Sequence, residues 1–451
     1  MEEQLIWYGV ATFVLVIFVP YYLIFHKSTR SAKLRKAEAK SLGIDRPRAQ
    51  YPMIDASLCI GCSSCVDACP EGDVLGVVKG VAVVINGQRC VGHGYCEVAC
   101  PVGALKVGLG DIKSRPDIPV LTEFNETTVP GLFIAGELGG LSLIRNAIAQ
   151  GRKVVDKIAS DLNGNGRREE LDVVIIGAGP AGLSAALTAT KHKLTYLLID
   201  EREVGGTILH YPRRKMVMTQ PVEIPLYGWL RNAEYSKEFL VDTWKEIITR
   251  FNIKVRTGER LEGIQKQDGR FVVQTIKQNY PTQYVVLALG RRGTPRKLDI
   301  PSEEQPKVMY SLIDAQSYNK AHVLVVGGGD SAIEAAIGLG RQTGNTVTIS
   351  YRKSSFFRVK KKNEDRINQL IKQRKITPVF DSQVTEVREK TVILKTKEGM
   401  LEIPNDYVFV MIGGVPPFEM LKAMGIMFGG DARPLTEETP PSKTSISAAV
   451  L

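Results

Sequence analysis

Beyond position 100 this 451-residue sequence contains no cysteine; all seven thiols fall between Cys59 and Cys100. A dithiol relay in the long C-terminal part is thereby excluded. Charge is missing from residues 5–25, LIWYGVATFVLVIFVPYYLIF. That absence excludes a solvent-exposed surface helix, and the run matches the roughly 20 residues that cross a bilayer as a helix. No small-residue cleavage site follows it, which argues against a signal peptide. A hydrophobic content of 44% leaves no sign of bulk disorder, and the length suits two or three domains.

Charge is abundant directly after the apolar run. Residues 27–50 hold eight Lys or Arg against two acids, a net +6 out of the chain's +11. Positive charge marks the cytoplasmic flank of a span, and Trp7, Tyr21 and Tyr22 stand where interfacial aromatics belong, with Pro20 a candidate kink. The expectation is one transmembrane helix over residues 1–26 in the cell inner membrane, with the bulk of the chain cytoplasmic. The basic excess then reflects topology and lipid contact, and no nucleic acid is expected as a partner.

The cysteines form two runs, CIGCSSCVDACP and CVGHGYCEVACP. In the first, Cys59, Cys62 and Cys65 stand two residues apart, so one loop can aim three thiolates at one cluster, and Cys69 precedes Pro70. In the second the same spacing reads Cys90, His93, Cys96, Cys100, with Pro101 next. Seven thiols leave no even set of disulfides, and the CP endings fit a zinc site poorly. Over about residues 51–110 the pattern resembles bacterial-type two-cluster ferredoxins. That resemblance implies that Cys100 joins Cys59, Cys62 and Cys65 on a 4Fe–4S cluster, while Cys69 joins Cys90 and Cys96 on another. His93 occupies the slot of the missing cysteine. Either it completes a second 4Fe–4S cluster, or a 3Fe–4S cluster forms beside it.

Two glycine turns follow. DVVIIGAGPAGLSAAL reads as a strand, a turn through Gly177 and Gly179, and a helix that Gly182 lets pack on the strand; the next strand ends at Asp200, where a carboxylate can accept from a ribose hydroxyl. HVLVVGGGDSAIEAAIGL repeats the pattern with Gly327, Gly329 and Ala332. Its second strand ends without an acid, at Arg352 and Lys353 with Arg358 beyond, which suits the 2′-phosphate of NADP better than NAD.

Two such units in tandem, the first closing with YVVLALGRRGTPRKLDIP, resemble the thioredoxin reductase-like flavoproteins over about residues 172–430. The resemblance implies FAD in the first unit, NAD(P)H in the second, and hydride transfer between them. Two departures stand out. The CxxC pair that thioredoxin reductases carry before the second turn is replaced by SLIDAQSYNKAHVLVVGGGDSA. The closing segment of the family, here TTVPGLFIAGELGGLSLIRNAIAQG at residues 127–151, lies ahead of the first turn. This reads as a circular permutation: a strand from Gly131 to Gly136 joins the FAD sheet and a helix from near Leu141 follows, with Glu137 where the family has an Asp that holds the ribityl chain. The segment is used in cis or swapped in a homodimer.

The expected fold class is α/β, with two Rossmann-like dinucleotide-binding domains preceded by an α+β ferredoxin domain and one transmembrane helix. The expected division is a helix at 1–26, a basic juxtamembrane linker at 27–50, the ferredoxin domain at 51–110 and the permuted segment at 111–162. A linker at 163–171, the FAD domain at 172–294, the NAD(P) domain at 295–415, and a reductase end with a disordered tail at 416–451 complete it. The expected function is an FAD-dependent NAD(P)H oxidoreductase that passes electrons through the clusters to an unknown acceptor protein or membrane acceptor, or in reverse. A disulfide reductase or a membrane-bound redox sensor are the alternatives. No catalytic side chain is expected, because the cofactors carry the chemistry.

Overall fold

The computed structural model describes residues 2–429 apart from 42, 46–49, 110–116, 141–142, 163–170, 233, 268 and 357–358. The expected linker at 163–170, the tail beyond 429 and Arg358 lie outside the described residues.

Helix α1 runs from Glu2 to Ser41 without a break, with Pro20 inside it. The expected basic linker is therefore helix as far as Ser41, because its Lys, Arg, Ala and Glu are all strong helix formers. One stripe of this part, Thr29, Ala32 and Ala39, is buried. It lies on the cysteine-rich unit: a Cβ built on Gly76 would stand 3.3 Å from the Ala32 Cβ, and Arg35 pairs with Asp73.

The cysteine-rich unit is two ribbons and two short helices. Strand β1 (Gln50–Ile54) is followed by α2 (Ser64–Asp67), the hairpin β2 (Leu75–Val78) and β3 (Val81–Val84), then α3 (Tyr95–Val98) and β4 (Leu105–Leu109). β4 returns antiparallel to β1, from Gln50↔Leu109 to Ile54↔Leu105. Val74, Leu75, Ala82 and Leu105 form a small core shared with Cys65 and Cys96.

Strand β5 (Leu132–Ile134) and helix α4 (Ile144–Leu162) come next, followed by β6 (Leu171–Ile176), α5 (Pro180–Lys191) and β7 (Tyr196–Ile199). The strand Asn279–Leu287 lies between β5 and β6 and is parallel to both, with Val285 opposite Leu132 on one side and Val174 on the other. The displaced segment thus enters the first dinucleotide sheet within one chain. The chain also returns to this unit at its far end: Leu421, Ile426 and Phe428 share a core with Leu132, Ile134 and Val174, and the Gly429 amide donates to Ile118 O at 2.9 Å. The two edges of the permutation therefore meet.

The second dinucleotide unit is a five-stranded parallel sheet ordered Val308–Met309, Tyr407–Val410, His322–Val326, Thr346–Tyr351, Ile376–Phe380. The helices Asp330–Gly340 and Lys361–Lys372 pack on it, and a three-stranded antiparallel ribbon of strands between Gln383 and Pro404 flanks it.

Candidate redox site

The two cysteine runs interleave. Cys59, Cys62, Cys65 and Cys100 line one pocket, and Cys69, Cys90, Cys96 and His93 line a second, with Glu71 beside them. Each run gives three positions to one pocket and sends its last cysteine, carried past the end of a one-turn helix, to the other. Backbone amides point at the sulfurs: Ala82 N donates to Cys59 Sγ at 3.3 Å and Ala104 N to Cys100 Sγ at 3.2 Å. Burial pushes the Cys90 thiol up to about 11 and the Cys96 thiol up to about 12, with the neighbouring thiols adding to the shift. Cys62, at the surface, is lowered by the Ser64 hydroxyl and amide.

Among the described residues no three His, Cys, Asp or Glu side chains converge on a point as a single ion would require. The thiols instead stand apart around the walls of two small pockets. That arrangement fits polynuclear clusters, whose ligands stand apart around a core of iron and sulfide. The His93 imidazole is 7% exposed, its Nε2 lies 3.1 Å from Glu71 Oε1, and its ring stacks on Tyr95.

At the first glycine turn, Gly177 has φ +108°, and an added Cβ would stand 2.4 Å from Ala288 O. Gly182 is tighter still: its Cβ would meet Gly177 O at 1.8 Å, so helix and strand touch backbone to backbone. Asp200 follows β7 and accepts from Ala178 N at 2.6 Å and from Arg202 N at 2.8 Å, which holds its carboxylate against the turn. Gly136, at φ +91°, donates its amide to Gln150 Oε1 at 2.7 Å. Helix α4 is pressed onto α5, where Gly151 leaves no room for a Cβ because Ala181 O would lie 2.1 Å away. The cradle and the displaced segment fit a flavin dinucleotide: the turn leaves the amides at the start of α5 free for a pyrophosphate.

Glu137 is half-buried and lines a cavity of about 960 Å³ with His210, Tyr211, Arg291 and Arg292. Burial raises its carboxyl above the ordinary range, with Arg291 pulling the other way. Tyr211 is pushed up to about 12, chiefly by burial and then by the charge of Glu137. The same cavity reaches Gly327, Gly328, Gly329 and Arg352 of the second unit. Gly327 takes φ +136° beneath Met411 O, Gly329 caps the helix Asp330–Gly340, and Ala332 is fully buried under the turn. Arg352 is exposed on the rim of this cavity; Lys353 is exposed but does not line it.

Several residues of the site carry no motif. Lys215 Nζ bridges to Glu334 Oε2 at 2.6 Å and sits 4.3 Å above the Tyr211 ring, tying the two dinucleotide units together across the cavity. Gln88 of the cysteine-rich unit lines that cavity too. Arg89 is buried and reaches Glu364 Oε2 at 2.8 Å, and Gln220 Nε2 donates to the carbonyl of His93. Glu71 could have been suspected only from standing two residues after Cys69.

A family model described as pyridine nucleotide-disulphide oxidoreductase matches residues 174–445, and one described as a 4Fe–4S dicluster domain matches residues 51–101. A ferredoxin–NADP reductase of Ignicoccus hospitalis is 30% identical over 57% of this chain and 82% of its own length. The bacilliredoxin reductase Bdr of Bacillus subtilis is 28% identical over 56% of this chain and 80% of its own. Among solved structures, the bacillithiol disulfide reductase Bdr of Bacillus cereus is similar with a TM-score of 0.53 and 28% identity, over 57% of this chain and 82% of that one.

Proposed function

We propose, from the premise that this chain belongs to the pyridine nucleotide-disulphide oxidoreductase family and carries a 4Fe–4S dicluster ferredoxin domain, that it is a membrane-anchored conduit between NADPH and a one-electron acceptor. The observation that carries this reading is the shared cavity. Gln88, two residues before Cys90, lines the same space as Glu137 of the flavin unit and Gly327–Gly329 of the nicotinamide unit. In this reading the cluster unit borders the cavity that the flavin and nicotinamide sites share.

In this reading Cys59, Cys62, Cys65 and Cys100 hold one 4Fe–4S cluster, and Cys69, Cys90, Cys96 and His93 hold a second. Gly177, Gly179, Gly182, Asp200, Gly136 and Glu137 hold FAD; Gly327, Gly329, Ala332 and Arg352 hold NADPH, with the Arg352 guanidinium reaching the 2′-phosphate. FAD held there would supply hydride acceptance from the nicotinamide and release of single electrons, which matches the one-electron capacity of an iron–sulfur cluster. The chain's own residues bind, orient and exclude water, and none is needed as a strong acid or base.

The anchor is the first part of α1. Among the described residues, its apolar side chains from Phe13 to Ile24 are exposed on every face, the reverse of a core helix. Flotation of the full-length protein with lipid vesicles tests the anchor.

The likeness to bacillithiol disulfide reductases favours a second reading, reduction of a low-molecular-weight disulfide. Steady NADPH turnover is the test. Turnover with one-electron acceptors and none with bacillithiol disulfide supports the conduit; turnover confined to the disulfide overturns it.

A further inference from the structure

We infer that the loop carrying the first two thiols, Cys59 and Cys62, residues 57–63, rests on the lipid–water interface of the membrane that holds α1; this deepens the proposed function and rests on residues 5–25 being a membrane span. The argument is one of level along α1. The helix runs opposite to β2, because Ala32 lies beside Gly76 and, one turn later, Arg35 pairs with Asp73. Going back along the helix from Ala32 to Phe25, the last apolar residue of the span, covers about 10 Å. Going forward along the hairpin from Gly76 to Gly80 covers about 13 Å. The β2–β3 turn therefore stands level with the end of the span. The thiol loop is fastened to that turn, since a Cβ on Gly61 would fall 2.2 Å from Gly80 O.

What the loop presents there suits lipid. Leu58 is 52% and Ile60 63% exposed, two large apolar side chains flanking Cys59 in the sequence, and Ile60 lines the first pocket. Cations stand at the same level: Lys79 is exposed in the β2–β3 turn, and Lys27 and Arg30 are exposed on α1. Apolar tips among cations, continuous with a membrane span, match an anionic headgroup layer over apolar chains. Asp55 is the acid nearest in sequence, and its carboxylate is turned to the amide and hydroxyl of Ser57.

The opposite end of the ferredoxin unit carries the contacts with the dinucleotide units. Arg89 reaches Glu364, the carbonyl of His93 accepts from Gln220, and a Cβ on Gly94 would approach Arg145. Along α1 the order is membrane, first pocket, second pocket, dinucleotide units. The first pocket is thus the one offered to a carrier at the membrane surface.

The test uses the cluster-loaded, full-length protein in vesicles of phosphatidylcholine and phosphatidylglycerol doped with a phospholipid bearing a diazirine near its glycerol backbone. After irradiation, lipid adducts are mapped by peptide mass spectrometry. Adducts on Leu58 or Ile60 as well as on α1, with none on Trp229 or Val415 of the dinucleotide units, are expected. An Ile60→Glu variant should lose at least half of the loop adducts while keeping those on α1. Adducts on α1 alone overturn the interfacial contact and leave the span standing. Absence of adducts from both overturns the span and the contact together.

Discussion

His93 and Glu71 face each other inside the ferredoxin unit, imidazole Nε2 to carboxylate Oε1 at 3.1 Å, in a pocket whose other walls are Cys69, Cys90 and Cys96. A carboxylate that accepts a hydrogen bond from Nε2–H fixes the tautomer and leaves Nδ1 as the ring's lone-pair donor, the arrangement common to metal-binding histidines. His93→Ala should therefore lose iron from the second cluster and give the paramagnetic signal of a three-iron centre in the oxidised protein. His93→Cys should restore the iron content. Glu71→Gln should keep the iron and raise the midpoint potential of that cluster, since a buried negative charge beside it is gone. Iron analysis with potentiometric titration checks all three; unchanged iron in His93→Ala would make the histidine a bystander.

The ion pair between Arg89 and Glu364 crosses from the ferredoxin unit to the helix Lys361–Lys372. Arg89 is 6% exposed, and among the described residues its only other acidic neighbour is Asp73 at 3.8 Å, itself paired with Arg35. Glu364→Ala strands a buried guanidinium and should cost roughly 3 kcal/mol. Arg89→Met leaves the carboxylate on a solvated helix and should cost less. Thermal unfolding of the two variants ranks them, and the opposite ranking would remove the pair as a clamp between the units.

Gly151 measures how closely the displaced helix is fitted to the flavin unit. With Ala181 O only 2.1 Å from its Cβ position, Gly151→Ala must push α4 from α5 and should cost roughly 1–3 kcal/mol. FAD should be held less firmly as well, because Gln150, the next residue back, fixes the Gly136 amide. Retained FAD and an unchanged Tm would mean that the two helices do not meet this way in solution.

Glu137 gives a pH signature. Burial raises its carboxyl above the ordinary 4.5, so the folded state favours the protonated form. Relative to Glu137→Gln, the wild type loses no stability below 4.5 and falls behind as pH rises through the folded value. In cofactor-free protein the variant should melt higher than wild type near neutral pH and level with it under acid conditions. An advantage equal at all pH values would show that charge burial is not the cause.

Much of this was legible because the motifs specify local backbone. Cysteine spacing sets which thiols share a loop, and the residues 127–151 spell out a strand and helix whatever their place in the chain. Gly177 and Gly327 announce turns, and Gly182 a helix-to-strand contact, that no side chain could enter. What escaped depends on docking. Arg89 and Glu364 lie 275 positions apart, and neither stands in a pattern. The helical course of residues 27–41 was hidden by charge that reads equally well as a topology signal. Lys353, a basic residue at the right point of the motif, is exposed and does not line the cavity, while its neighbour Arg352 does.

The central claim is that flavin and clusters form one path. Anaerobic titration of the full-length protein with NADPH, following flavin bleaching optically and the clusters by electron paramagnetic resonance, tests it directly. The account predicts that cluster signals grow in as the flavin bleaches. Complete bleaching with both clusters still oxidised would contradict it.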